Sequence, residues 1–291
     1  MLQYPESFNC RIRDIRGKRI MSEETSSLFS VLAAEERLPD FALTVKILSE
    51  FCRLNSNDAG HIARHCWGFM GENLSPAAAA SLAEKCGTYG VKTITLPSVK
   101  MARREAPVLI KKADLGTGAF SYTGGAGLGA NANFSDILVL SAAPIKEETA
   151  KIVKSVESPS SGEKALRLGI MAATGLPIGI GKSKEVKKEV KTSETAFRLD
   201  IILKQANTRL RLNPAAFDFS CLKEKKTYSS QMNFKVMCAE LAALAPKALK
   251  NTGLWAIIEH KPLGAAAYDG MEDFEKETSR LNMLALERTN G

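Results

Sequence analysis

Basic side chains fall in three blocks of this 291-residue chain. Residues 1–20, 76–113 and 161–226 carry net formal charges of +3, +5 and +7, and the segment that follows each block is net acidic. Clustered Lys and Arg side chains attract phosphate groups and bind them. The distribution therefore indicates a surface for a polyanion, whereas ordinary solvated lysine faces are the alternative.

The first block alternates Arg with Ile or Asp and shows no helical period. Arg11, Arg13 and Arg16 lie here, downstream of Pro5. In an extended segment, guanidinium groups at every second or third residue are able to grip successive phosphate oxygens. Residues 1–20 are therefore predicted to form an extended basic arm, which either lies along a nucleic-acid backbone or packs onto a neighbouring subunit.

The second and third blocks supply the remaining candidate phosphate ligands. They are Arg103, Arg104, Arg167, Lys182, Lys184, Lys187, Arg209, Arg211, Lys225 and Lys226. Tyr228 and Phe217 lie near the third block, and aromatic rings stack on the bases of single strands. Phe217 sits in an apolar patch that favours a core position instead. Phosphate contacts combined with stacking predict binding of a single strand without base selection.

Two glycine-rich runs approach nucleotide-binding motifs but miss their spacing. Residues 175–183 read GLPIGIGKS and end like a phosphate-binding loop, yet Leu176 occupies the first glycine position and Pro177 removes a backbone amide. Between Gly124 and Gly129 the glycines are too closely spaced for a dinucleotide fingerprint. The second run is predicted to be a flexible connector, and the first leaves a nucleotide-binding enzyme as an alternative.

One His and Cys grouping has part of the spacing of a zinc site. His61 and His65 stand four residues apart on a predicted helix, with Cys66 adjacent. A helical zinc motif places Glu directly after its first His, but Ile62 stands here, and the chain has no C-x-x-C pair. Packing residues are favoured, with metal binding as the open alternative. The chain is predicted to have no catalytic residue, metal or cofactor, and not to be an enzyme.

The periodicity of the apolar residues is mainly helical along most of the chain. Helices are predicted from Ser22, from Asp40 to Leu54, from position 57 or 58 to Met70, from Ser75 to Cys86, and over 145–156, 163–173, 195–212, 231–249 and 272–287. The predicted fold is mainly α: a two-lobed helical bundle with a short β-hairpin or strand pair near the middle and an extended N-terminal arm.

The composition shifts also predict the boundaries of five segments. They are a basic N-terminal arm (1–20), an N-terminal helical lobe (21–115), a Gly-rich loop and strand (116–142), a C-terminal helical lobe with a basic surface (143–250) and a C-terminal arm or helix (251–291).

Two short patches resemble capsid proteins of RNA viruses. Residues 164–171 (KALRLGIM), followed by GLPI at 175–178, resemble nucleocapsid proteins of the tospovirus type, which are basic, mainly helical and two-lobed, with swapped arms around an RNA groove. The AAFDF run at 215–219 resembles the core of flexuous filamentous plant-virus coat proteins, in which the aspartate pairs with an arginine. The second resemblance implies a structural role for Asp218, with Arg209 or Arg211 as its partner.

The basic blocks and the resemblance together predict a viral nucleocapsid or coat protein. Such a protein binds single-stranded genomic RNA without sequence preference and polymerises through its N- and C-terminal arms. The expected partners are RNA, further copies of the chain and a viral polymerase, without stable membrane insertion. The expected location is the virion and the host cytoplasm. A viral matrix or movement-type protein that bridges membrane and RNA is the first alternative, and the phosphate-loop enzyme is the second.

Overall fold

Two β-sheets organise the residues that the computed structural model describes. These residues are 28–101, 106–124, 127, 129–157, 184–205 and 208–290. The chain divides into two compact units, of which the first contains Met1–Ile145 and Ala196–Gly291 and the second is Lys146–Thr195. The prediction of a mainly α, two-lobed helical bundle is wrong, because the fold is mixed α and β.

The smaller sheet is antiparallel and has the strand order β2-β1-β3. Its strands are β1 (Phe29–Ala33), β2 (Phe69–Leu74) and β3 (Thr93–Pro97), and the helices between them are α1 (Phe41–Cys52), α2 (Ser56–Cys66) and α3 (Pro76–Thr88). The side chains of Asp40, Asn55 and Ser75 each accept a hydrogen bond from a backbone amide in the first turn of the following helix. This bonding favours Asp, Asn and Ser at helix starts.

The larger sheet has seven strands in the order β10-β7-β8-β9-β4-β5-β6. They are β4 (Val108–Leu115), β5 (Ala119–Gly124), β6 (Gly129–Asn133), β7 (Ile137–Glu157), β8 (Lys184–Leu203), β9 (Arg209–Leu212) and β10 (Leu249–Lys250). The pairs β4–β9 and β7–β10 are parallel. The hairpin expected near the middle of the chain is β5–β6, which forms one edge of this sheet rather than a connector between helical lobes.

The second unit, Lys146–Thr195, contains the later part of β7 and the earlier part of β8. Both segments are β-strands, so the helix predicted over 145–156 is wrong. The helix predicted over 195–212 is wrong as well, because β8 and β9 occupy most of that range.

Three α-helices and four 3₁₀ segments complete the described chain. The α-helices are α4 (Ser230–Leu244), α5 (Thr252–Ile258) and α6 (Met271–Asn290). The 3₁₀ segments are Ser98–Met101, Phe134–Asp136, Phe219–Lys225 and Leu263–Ala266. The sequence predicted α4 and α6 with boundaries that differ by a few residues.

Helix α6 packs between the two sheets of the first unit. Its Leu281 and Leu284 contact Val139 and Ile202 of the larger sheet. On another side, Met283 joins a cluster with Leu32 of the smaller sheet. Helices α4 and α5 cover the other face of the larger sheet, and α1 and α3 cover the other face of the smaller one. A helix covered on both sides in this way is buried around most of its circumference.

A buried ion pair on α6 joins several loops to this helix. Arg280 and Glu277 are fully buried, and their charged groups lie 3.8 Å apart. Arg280 donates hydrogen bonds to the carbonyl oxygens of Ala33, the last residue of β1, and of Glu35 and Glu36, which follow it. Burial lowers the pKa of Arg280 from its ordinary value, so these acceptors are needed to keep its charge in the interior.

Glu277 makes the other half of this cluster. Its carboxylate accepts hydrogen bonds from the Thr252 backbone amide (3.1 Å) and hydroxyl (2.8 Å), and from the Tyr268 hydroxyl. Asn251 donates to the same hydroxyl over 2.8 Å. The ion pair therefore connects the segment after β1, the start of α5 and the loop before α6.

The strands that the sequence does not predict show the two-residue alternation of a strand in only part of their length. In β8, Leu199, Ile201 and Leu203 pack in one core cluster and Ile202 packs in another, which is the alternation of a strand. Residues 184–194 of the same strand are rich in Lys and Glu, which favour helix locally. Pairing with neighbouring strands overrides that preference, because strand formation depends on distant partners more than on local propensity.

Replacing Arg280 with Ala should lower the free energy of unfolding by about 3–5 kcal/mol, because Glu277 is then left as a buried, uncompensated charge. Urea denaturation followed by circular dichroism measures this loss. Lys276→Ala is the matched control, since Lys276 pairs with Glu72 at the partly exposed surface and its loss should cost about 1 kcal/mol or less. Equal losses in the two variants would contradict the role given to the buried pair.

Candidate nucleic-acid interface

A β-bulge in β4 places two consecutive lysines at the surface. The register between β4 and β5 shifts between Ile110 and Lys112. Ile110 and Ala113 are buried, whereas Lys111 and Lys112 are both exposed. A regular strand sends neighbouring side chains to opposite faces, but the extra residue of a bulge changes that alternation. The bulge therefore allows both ammonium groups to reach solvent.

The 3₁₀ segment Phe219–Lys225 lies beside β4 and adds further lysines to this region. The Asp218 backbone amide donates to the carbonyl of Lys111 over 2.8 Å, and Asp218 forms a parallel bridge with Lys112. Phe219 and Leu222 are buried and fix the segment to the core. We define the β4 basic surface as the exposed lysines of these two elements and of the residue that directly follows the 3₁₀ segment: Lys111, Lys112, Lys223, Lys225 and Lys226.

The lysines of the β4 basic surface differ in their partners. Lys225 pairs with Glu240 at 2.7 Å, and Lys226 lies 3.9 Å from Asp218. Lys111, Lys112 and Lys223 have no carboxylate at ion-pair distance among the residues that the structure describes. These three ammonium groups are therefore available to a phosphate without the loss of an existing ion pair.

Tyr228 presents a fully exposed aromatic ring two residues after Lys226. The turn before it is fixed by Asn233 of α4, which is buried. The Asn233 amide accepts from the Thr227 backbone N–H (2.6 Å) and donates to the Thr227 carbonyl (2.9 Å). Because its preceding residue is held at both backbone groups, the Tyr228 ring projects from a fixed backbone. Such a ring offers a stacking face to any base.

Arg209 and Arg211 form an internal ion-pair network instead of joining this surface. Both guanidinium groups bind the fully buried carboxylate of Asp200, and both also reach Glu275 of α6, at 3.5 and 3.2 Å respectively. Burial opposes the charge of Arg211, but hydrogen bonds and charge attraction from Asp200 and Glu275 raise its pKa above the ordinary value. A phosphate would have to displace these carboxylates to reach either arginine.

Asp218 begins the 3₁₀ segment beside β4. Its carboxylate accepts a hydrogen bond from the Ser220 backbone amide over 3.0 Å and another from the Ser220 hydroxyl. These hydrogen bonds, with Lys226 and Lys112 nearby, hold the pKa of Asp218 below its ordinary value. The predicted pairing of Asp218 with Arg209 or Arg211 is wrong, because both arginines bind Asp200.

Several predicted phosphate ligands lie outside the described residues. They are Arg11, Arg13, Arg16, Arg103, Arg104, Arg167 and Lys182, and the GLPIGIGKS run of residues 175–183 falls outside as well. Lys184 and Lys187 belong to the part of strand β8 that lies within the second unit. Of the predicted set, the structure brings only Lys225 and Lys226 together on a described exposed surface.

Lys111, Lys112 and Lys223 are not among the phosphate ligands predicted from the sequence. The first two are adjacent in β4, and their common exposure depends on the bulge against β5. The KEKK run at 223–226 carried a visible charge signal. The sequence does not indicate that this run lies close to β4, because that contact joins residues more than one hundred positions apart.

The predicted His and Cys grouping is not assembled as a metal site. The Cys66 thiol is buried and donates to the Ala63 carbonyl over 3.3 Å, and burial raises its pKa. His65 instead lies 3.0 Å from the Asp273 carboxylate, and Asp269 is close to both. This is a different combination of donors, brought together from two distant segments.

Comparisons with family models, with curated proteins and with solved structures find no match for this chain. Among the helices that the structure describes, none combines the length and the hydropathy of a membrane span.

Proposed function

We propose that this protein binds single-stranded RNA without sequence preference through the β4 basic surface and Tyr228. The observation that carries the proposal is the combination of three lysines that have no ion-pair partner among the described residues and a fully exposed ring on a fixed turn. The lysines lie on β4 and the segment beside it, and Tyr228 follows that segment. Lysines with an aromatic platform are the combination that single-strand binding proteins use.

The electrostatic part of this proposal concerns the phosphate backbone. Lysine ammonium groups neutralise phosphates and release the counterions that surround them. Each phosphate neutralised on a single strand contributes about −0.7 to the slope of log affinity against log salt concentration. Lysine acts as a point charge without the planar fork of arginine, so these contacts select charge and spacing rather than base identity.

The stacking part of the proposal favours a single strand over a duplex. In an A-form duplex the bases are already paired and stacked, whereas a single strand can present a base face to an aromatic side chain. Tyr228 meets this requirement because its ring is fully exposed and its turn is held by Asn233. Every base has such a face, so stacking at Tyr228 is compatible with binding that ignores sequence.

The finer form of the proposal is that the protein coats genomic RNA as a viral nucleocapsid or coat protein. Its support is the distribution of basic blocks and the two short sequence patches. The two-lobed helical architecture that the first patch implied is not the fold of this chain. Coating is therefore tested separately from RNA binding.

Replacing Lys111 and Lys112 together with Ala should weaken binding to a labelled single-stranded RNA of mixed sequence and make the salt slope shallower by about 1.4, as expected for two lost phosphate contacts. Fluorescence anisotropy across a series of salt concentrations measures both quantities. The bulge and the burial of Ile110 and Ala113 do not require the lysine head groups, so the variant should fold normally.

The matched control removes two exposed lysines elsewhere, by Lys92→Ala with Lys261→Ala. This variant has the same net charge as the first, so it accounts for the general loss of attraction. If both double variants changed the salt slope equally, the β4 basic surface would not be the RNA site. Anionic lipid vesicles bound as tightly as RNA would favour the matrix or movement-type alternative.

Tyr228→Ala should weaken RNA binding about 5–150-fold, corresponding to the loss of about 1–3 kcal/mol of base stacking. Its salt slope should stay unchanged, because no phosphate contact is removed. Tyr228→Phe keeps the ring and should bind almost as the natural protein does. Equal affinity of the Ala variant and the natural protein, in the same anisotropy experiment, would remove Tyr228 from the interface.

If the protein coats RNA, it should co-purify with nucleic acid from an expressing cell at low salt. The ratio of absorbance at 260 and 280 nm should then indicate bound RNA, and negative-stain images should show assemblies that ribonuclease shortens. Monomers that bind RNA in the anisotropy experiment but carry none after purification would retain the binding proposal and exclude the coating role.

A further inference from the structure

Three potential metal ligands from two distant segments meet near the start of α6. They are His65 in the last turn of α2, Asp273 in the first turn of α6, and Asp269 four residues before Asp273. One donor atom from each lies within 4.8 Å of the other two. The closest pair, His65 Nδ1 and a carboxylate oxygen of Asp273, is 3.0 Å apart.

A packed aromatic cluster is formed by residues close in sequence to the three donors, and it fixes the segments that carry them. Trp67, two residues after His65, lies against Tyr268 with 4.3 Å between ring centroids. Tyr268 directly precedes Asp269, and it meets Phe274 edge-on at 5.5 Å. Phe274 directly follows Asp273. Each donor is therefore one or two residues from a ring of the same cluster.

This arrangement holds the donors in place without requiring them to contribute to the core. Tyr268 and Phe274 are fully buried, and the Tyr268 hydroxyl is fixed by Asn251 and Glu277. His65, Asp269 and Asp273 remain half-buried or exposed. Donors at the surface of a rigid support are typical of a preorganised binding site.

The distances suit a metal ion that binds at the centre of the three side chains. Ligand atoms at about 2.0–2.1 Å from a tetrahedral ion are about 3.3 Å from one another. The donor atoms lie within 4.8 Å, so small rotations about side-chain bonds bring them to that spacing. Two carboxylates and one imidazole would leave an open position for water or an external ligand, as in zinc sites with three protein ligands.

The donor types determine the class of ion. Imidazole nitrogen suits Zn²⁺, Ni²⁺, Cu²⁺ and Fe²⁺, whereas Mg²⁺ and Ca²⁺ prefer oxygen ligands alone. His65 therefore favours a divalent transition metal over the alkaline-earth ions.

We propose that His65, Asp269 and Asp273 form a binding site for a divalent transition-metal ion, with Zn²⁺ as the representative ion. The site is independent of the β4 basic surface, so it stands or fails separately from the RNA-binding proposal. Metal bound there would connect the end of α2 to the start of α6.

The test is isothermal titration of the metal-free full chain with Zn²⁺. The natural protein should bind one equivalent more than His65→Gln, Asp269→Asn or Asp273→Asn, or should bind that equivalent at least about tenfold more tightly. The same titration with Mg²⁺ should show no binding at these residues. Zn²⁺ should also raise the melting temperature of the natural protein more than that of each variant. Melting of the metal-free variants shows whether they are folded before the titration.

Two histidine variants serve as controls. His260→Gln removes an exposed histidine far along the chain and should leave zinc binding unchanged. His61→Ala distinguishes this site from a simple pair of histidines one helical turn apart, because the His61 ring lies beside that of His65 at 5.3 Å. Zinc binding that is lost in His61→Ala but kept in Asp269→Asn and Asp273→Asn would overturn the proposal, as would equal binding by the natural protein and all three site variants.

Discussion

The first unit depends on the burial of the Arg280–Glu277 ion pair in helix α6. Charged groups are stable in the interior only where polar partners offset the loss of water. The chain supplies such partners by bringing three carbonyl groups from the end of β1 and the segment after it to Arg280, and Thr252 and Tyr268 to Glu277. Segments far apart in sequence are therefore held to one helix that lies between the two sheets.

Ion pairing in the interior also reduces the number of basic side chains that can bind a polyanion at the surface. Arg209 and Arg211 are used to neutralise Asp200 and Glu275, and Arg280 to neutralise Glu277, so these cations do not contribute free positive charge at the surface. Only basic side chains without such internal partners can offer their positive charge to phosphate. Among the described residues, Lys111, Lys112 and Lys223 have no carboxylate at ion-pair distance, and the exposed ring of Tyr228 follows the segment that carries Lys223.

The buried cluster also connects the two proposed sites to the fold in different ways. Tyr268 binds Glu277 and stacks on Trp67, and so fixes the segments that carry His65 and Asp269. The RNA surface is independent of that cluster, since it rests on the β4 bulge and on the anchoring of Phe219 and Leu222. Thus one site is supported by the core around α6 and the other by an irregularity within the larger sheet.

Local signals in the sequence were sufficient to predict the starts of α1 and α3. Asp40 and Ser75 start α1 and α3 as predicted, because a cap is formed by a side chain and an amide only a few residues away. The periodicity of the apolar residues also predicts α4 and α6, but it does not predict that α6 is buried. Its Glu277, Arg280 and Asn282 are buried, and only the layer on each side of the helix explains why such polar residues are inside.

By itself the sequence determined where charge is concentrated, that helices begin after Asp40 and Ser75, and which nucleotide-binding motifs fail in their spacing. Tertiary structure decided the mixed α and β fold, because strands such as β7 and β8 exist only through pairing with distant segments. It also decided which cations are neutralised, since Asp200 lies nine and eleven residues from its arginines and Glu275 more than sixty. The meeting of His65 with Asp269 and Asp273, across about two hundred residues, has the same origin: long-range packing has no local signature.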